Sequence, residues 1–375
     1  MKKNNQSAQR QILKQQDASR QTSLDGLVRA FRLLGTIGTI KLTARLIRGP
    51  GDISSPSSNA PPWRLTWRSM SEIFYTTTSA MAVSQIRTQT LDCFLETPPS
   101  YGIQSIDVAR HFPSLQSQGF SGDSITTFAI SWTPCASAIE EAKLEGVRFL
   151  VAMHKNPNNP SAGLSRSLEE FRSDDNFTGI ARLLNTMPNL TTLSLYMHEG
   201  VDGLGSPQKR TFREIADSVK FPSLQRLHLR GIFATQTSLV QLFQSHRDSL
   251  VEIDLQEVRI DASESWNVVL SHLQEMPHVD ILHVSAIRTG AHLANLMSRQ
   301  EGDREAFSVA GLQRSDALMQ TWYPCLGGPL LHTRSYTKEQ IRDGLEVWEE
   351  AMGSAMQSPA HARWSRNRQV LFREL

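Results

Sequence analysis

The residues whose types and spacing come nearest to chemistry are Ser194, His228, Asp254 and His283. Each is the fifth residue of a hexad, L-x-x-L-x-L, found at Leu190–Leu195, Leu224–Leu229, Leu250–Leu255 and Val279–Val284. As strands, these hexads alternate their side chains, so the fifth residues share the face opposite the fourth and sixth. Neighbouring strands lie about 4.8 Å apart, which sets His228, Asp254 and His283 in a ladder. Two imidazoles and a carboxylate could ligate a metal or carry a proton switch. No Cys or second carboxylate completes the shell, so the expectation is a hydrogen-bonded polar ladder with no metal and no cofactor. The third residues (Thr192, Arg226, Glu252, Ile281) and the seventh (Tyr196, Arg230, Gln256, Ser285) flank it. Together with Ser194, His228, Asp254 and His283 they form the candidate partner-binding surface.

Other local chemistry is missing from the sequence. It has no G-x-S-x-G elbow, Walker loop, G-x-G-x-x-G or H-E-x-x-H. Eleven histidines are scattered without a motif, so no enzyme is expected.

The elements that must position the ladder are legible. Pro188, Pro222 and Pro277, each after an apolar residue, lead into three of the hexads. Their leading positions 190, 224, 250 and 279 are unevenly spaced at periods typical of strand-helix repeats. Helices are expected between them. One follows Ser206-Pro207 through Phe212, Ile215 and Val219; another follows Thr235 through Leu239, Leu242 and Phe243; a third follows Ser263 through Trp266, Val269, Leu270 and Leu273. Strand alternating with helix gives an α/β fold. The reading is an irregular leucine-rich-repeat solenoid, with a parallel sheet on its concave side and helices on its convex side.

Composition sets outer limits. The 375 residues carry 39 Lys and Arg against 37 Asp and Glu, so there is no global nucleic-acid footprint. Residues 1–48 are an exception, with ten basic residues against Asp17 and Asp25. The three cysteines, Cys93, Cys135 and Cys325, form no disulfide framework, which suits a reducing compartment of the cytoplasm or nucleus. No apolar run reaches the roughly 20 residues of a membrane span.

Residues 1–22, polar and Gln-rich, read as a disordered basic tail. Residues 23–290 read as the solenoid, degenerate with insertions over 23–160 and regular over 161–290. Degenerate hexads stand at Ile37–Leu42 and Ile125–Ile130, and helical spacing runs from Trp63 to Ala80. A loop is expected around Gly49–Pro62, a helix after Thr133-Pro134, and a capping box at Ser167–Glu170. Residues 291–375 read as a C-terminal extension, partly helical near Gly290–Ala310. It would end in a capping helix from Thr337 through Ile341, Leu345, Trp348 and Met352, with a Thr337–Gln340 capping box.

The P-x-L-x-x-L-x-L strands, uneven repeat length and eroded N-terminal repeats resemble the divergent leucine-rich-repeat proteins of the F-box type common in fungi. The resemblance is good over residues 177–285. It implies a substrate receptor of a cullin-type ubiquitin ligase, without chemistry of its own. A recognisable F-box is lacking: residues 1–60 contain no Leu-Pro pair. The expected function is therefore a non-catalytic module binding a protein partner on the concave face, with a cullin-ligase adaptor as a further partner. Membrane and nucleic acid are not expected partners. Two alternatives stay open: an enzyme whose site lies around Trp63–Trp132, and a nucleic-acid binder using the basic N-terminal arm.

Overall fold

The computed structural model describes residues 2–44, 62–95, 102–133, 175–197, 205–290, 292–298 and 334–350. The chain is a mixed α/β protein whose strands pair mostly in parallel, and it divides into two compact units, Met1–Leu224 and Gln225–Leu375. The expected loop over Gly49–Pro62 (except Pro62 itself), the helix after Pro134, the Ser167–Glu170 capping box and Met352 fall outside the described residues. Among the described residues no helix is long and apolar enough to cross a membrane.

In the first unit, α1 (Lys2–Leu34) leads into β1 (Thr36–Leu42), and α2 (Pro62–Ser84) into β2 (Arg87–Cys93). The two-residue β3 (Ile103–Gln104) and α3 (Ser105–Ser117) precede β4 (Thr127–Thr133). Then come α4 (Asp175–Leu184), β5 (Thr192–Met197) and α5 (Gly205–Ser218). The strands lie in the order β1-β2-β4-β5, all parallel, with β3 also beside β4. Helix-to-strand succession with parallel pairing is what amphipathic helices returning the chain behind a sheet produce. Leu91, Phe128, Ile130, Leu193 and Leu195 supply the buried side of the strands; Phe74, Leu115, Ile180, Leu183 and Phe212 supply that of the helices.

The tail expected to be disordered is helical from Lys2. Hydrophobic period is absent there, but Gln, Lys, Ala and Arg are strong helix formers, and propensity decides where packing does not. Packing shows itself elsewhere through a glycine. A Cβ on Gly179 of α4 would stand 2.6 Å from the Ala109 nitrogen and 2.7 Å from the Ser105 oxygen, so α3 and α4 pack backbone to backbone at that point.

In the second unit β6 (Arg226–Arg230), β7 (Glu252–Gln256) and β9 (Ile281–Ser285) are parallel and in register. Helix α6 (Gln236–Ser245) connects the first pair and α7 (Trp266–Gln274) the second. Thr235 and Ser238 cap α6 reciprocally, each accepting the other's backbone N–H at 3.1 Å. Ser265, rather than the expected Ser263, caps α7, and Trp266 begins that helix with its indole N–H on the Arg288 carbonyl. Leu227, Leu229, Ile253, Leu255 and Leu282 on the strands and Leu239, Leu242, Val269 and Leu270 on the helices are all buried.

A second sheet forms beside these strands. The two-residue β8 (Arg259–Ile260) pairs in parallel with β10 (Arg288–Thr289). Strand β11 (His292–Ser298) runs antiparallel to β10 and to β13 (Leu345–Glu350). So within Gly290–Ala310 the described residues His292–Ser298 are strand, not helix. The C-terminal capping helix also needs correcting. Helix α8 covers only Lys338–Asp343, because Gly344 turns to φ +106 and β13 follows. The sequence period through Leu345 and Trp348 continued helical spacing past a residue whose backbone leaves the helical region. The capping box is present, with the Gln340 side chain 2.9 Å from the Thr337 N–H. Ahead of it, β12 (Arg334–Thr337) pairs antiparallel with β9.

Candidate interaction surface

The ladder read from the hexads forms in the second unit. Arg226, His228 and Arg230 stand opposite Glu252, Asp254 and Gln256, which stand opposite Ile281, His283 and Ser285. Each is exposed or half-buried, while the alternate residues are core. That is the period-two alternation of a sheet covered on one face. His228 Nδ1 lies 3.5 Å from Asp254 Oδ2, and His283 Nε2 lies 3.8 Å from Glu252 Oε1. Gln256 donates to the same Asp254 oxygen at 2.8 Å. Asp254 Oδ1 is buried with no hydrogen-bond partner among the described residues. Arg230 reaches Glu257 at 3.4 Å, just past the end of β7. His283 Nδ1 is 2.7 Å from Ser335 Oγ on β12, so the column expected to end the face is joined by a fourth strand.

The first-unit members of the expected surface behave differently. Ser194 is half-buried, but Thr192 and Tyr196 are each only 7% exposed. Their partners across β4, Ser131 included, are also mostly buried, so both faces of β4 and β5 are covered. Thr192 and Tyr196 are thus not open to a partner as the alternation alone implied. Alternation tells which face a side chain takes, not whether something else packs on that face.

A feature the hexads did not reveal follows each strand. Gly231, Glu257 and Ala286 sit at φ +63, +55 and +55, one residue after β6, β7 and β9 respectively. The next residues, Ile232, Val258 and Ile287, are fully buried. The recurring unit is therefore nine residues long, ending in a left-handed turn that drops one more apolar side chain into the core. The signal was available as an apolar residue three places after each last Leu or Val, but only Gly231 spells the turn.

Polar groups also meet among the N-terminal helices. Ser71 of α2 donates to Asp107 of α3 at 2.5 Å. Thr78 Oγ1 donates to the Phe74 carbonyl at 2.7 Å, so it accepts from His111 Nε2, 3.0 Å away. The His111 ring lies against Tyr75 with centroids 3.8 Å apart, and Arg20 of α1 pairs with Glu72 at 2.8 Å. Burial drives His111 down to a pKa of about 4 and raises that of Asp107, against the lowering effects of Ser71 and Arg110. His111 is buried and its Nδ1 has no partner among the described residues. The cluster lies in the stretch where an enzyme site was the alternative; its Ser71–Asp107 and Thr78–His111 contacts join α2 to α3. Cys93 is buried, with its thiol pKa raised by desolvation first and Asp92 second, which disfavours the reactive thiolate.

Among the described residues no group of three or more His, Cys, Asp or Glu could hold a metal ion. No family model matches the chain, and no curated protein is significantly similar to it.

Proposed function

We propose that the chain is an irregular leucine-rich-repeat solenoid acting as a non-catalytic, intracellular protein-interaction module. Its binding face is the polar side of β6, β7 and β9. The observation behind this reading is the registered ladder. A basic column, Arg226, His228 and Arg230, stands against an acidic and amide column, Glu252, Asp254 and Gln256. Beside them Ile281 is 40% exposed in an otherwise polar array. Oriented donors and acceptors around an apolar point suit a protein surface, where desolvated charge pairs set specificity. The F-box-type resemblance extends the proposal to a substrate receptor of a cullin-type ubiquitin ligase.

Affinity purification with mass spectrometry tests both levels. The wild-type chain should retain a defined partner that Arg226→Glu/Ile281→Asp loses at an unchanged melting temperature. Recovery of a cullin and its adaptor supports the ligase role. Identical partners with the double variant would move the binding surface off this face.

A further inference from the structure

The first unit presents a second, chemically different surface at the outer side of β1. Among the described residues β1 pairs with β2 alone. Thr36, Gly38, Thr39 and Lys41 are exposed along it, and a Cβ built on Gly38 would meet nothing within 4 Å. An open strand edge carries a row of unpaired N–H and C=O groups, which proteins usually blunt with proline, a bulge or charge. Here the strand Thr-Ile-Gly-Thr-Ile-Lys-Leu has no proline. Its lysine lies 3.9 Å from Asp92 of β2, so that charge is turned partly toward the sheet. Immediately before the strand, Leu33 and Leu34 are 82% and 61% exposed, the most exposed large apolar residues described. Arg29 and Arg32 are exposed on the same last turns of α1, and neither has an ion-pair partner among the described residues.

We propose that the outer edge of β1 accepts an extended acidic protein segment as an added strand. Main-chain hydrogen bonds would form to β1. Apolar side chains of the segment would cover Leu33 and Leu34, and its carboxylates would reach Arg29 and Arg32. Strand addition of this kind takes affinity from the backbone and specificity from side chains beside the edge. Charge selects the occupant. Helix α1 holds seven Lys and Arg against two Asp, so pairing β1 with a second copy of itself would bring two basic helices together. A nucleic acid would match the charge but offers no peptide groups to the strand and no apolar side chains to Leu33 and Leu34. This surface is independent of the β6–β9 face.

The test uses the full chain and a labelled ten-residue peptide alternating Glu with Val, followed by fluorescence anisotropy. A Lys-for-Glu version, two versions N-methylated on alternate residues, and a single-stranded RNA oligonucleotide serve as comparisons. The acidic peptide should bind at least about tenfold tighter than the lysine peptide. One of the two N-methylated versions, the one blocked on the side facing β1, should lose about as much. Arg29→Glu/Arg32→Glu, both exposed and away from the core, should weaken the acidic peptide similarly while leaving the melting temperature unchanged. Equal binding by both N-methylated peptides and the parent would overturn strand addition. Tighter binding of the RNA than of the acidic peptide, lost on the same charge reversal, would assign the surface to nucleic acid instead. A concentration-dependent dimer that Leu33→Asp dissociates would assign it to a second copy.

Discussion

His228 and Asp254 meet across β6 and β7, Nδ1 to Oδ2 at 3.5 Å, with side chains 32% and 15% exposed. The geometry is that of a loose pair. Asp254 Oδ2 is shared with Gln256 Nε2 at 2.8 Å, a shorter contact. A pair this long, with its imidazole about a third exposed, contributes about 0–1 kcal/mol. A double-mutant cycle of His228→Ala and Asp254→Ala, read by urea unfolding, should therefore give a coupling of no more than about 1 kcal/mol. A coupling several times larger would make the ladder a fold-holding device rather than a binding one.

Leu227, on β6, is fully buried. Leu227→Ala should cost about 2–5 kcal/mol of stability, as lost transfer energy plus the cavity left behind. The check is the shift in denaturant midpoint at constant slope. A midpoint unchanged within error would mean that the site collapses around the missing methyls.

The left-handed turns make opposite predictions at equivalent positions. Ala286 holds φ +55 at the cost of its Cβ, whereas Gly231 holds φ +63 without one. Ala286→Gly should leave stability unchanged or raise it by up to about 1 kcal/mol, the relief of strain exceeding the entropy added to the unfolded chain. Gly231→Ala should lower stability by about 1–2 kcal/mol. Thermal melts of the two variants would show shifts of opposite sign, or none for Ala286→Gly. A loss in both would mean that close packing, not φ, sets these positions.

What the sequence disclosed follows from where each signal lies. Leu193, Leu227, Ile253 and Leu282 were legible as core because their alternation is local and repeated four times. The pairing of Arg226 with Glu252 followed from the same hexads, since parallel strands of one pattern fall into register. Tyr196 shows the limit: the face it takes was readable, but the cover that leaves it 7% exposed was not. Strand β12 was hidden because it joins β9 from 49 positions further along, with Ser335 opposite His283, and nothing local marks such a pairing. Gly344 was visible in the sequence, yet periodicity through Leu345 outweighed it, and the backbone decided otherwise. Asp107 and Ser71, or His111 and Thr78, meet across helices more than 30 residues apart, a juxtaposition that no spacing rule supplies.

His111 makes stability depend on pH in a defined window. Its pKa falls from the usual value of about 6.5 in the unfolded chain to about 4 in the fold, because burial disfavours the imidazolium. Above pH 6.5 the ring is neutral in both states and contributes no pH dependence. As pH falls from about 6.5 to about 4, the unfolded chain takes up a proton that the folded chain refuses, so stability declines by up to about 3 kcal/mol. Below the folded pKa the loss levels off. Asp107 acts in the other direction: its raised pKa means that the folded state holds a proton more tightly than the unfolded chain, a contribution present at low pH and lost as pH rises through its folded value. His246, also buried with its pKa lowered by desolvation, adds to the loss on the acid side, and Asp107 offsets it toward the carboxylate range. His111→Phe keeps an aromatic ring against Tyr75, leaves the Thr78 hydroxyl its Phe74 carbonyl, and removes the titrating group. Urea midpoints measured at half-unit pH steps should show that acid-side loss in the wild type and a flatter profile in His111→Phe. Superimposable profiles would mean that His111 is protonated in the fold and finds a partner for its second N–H.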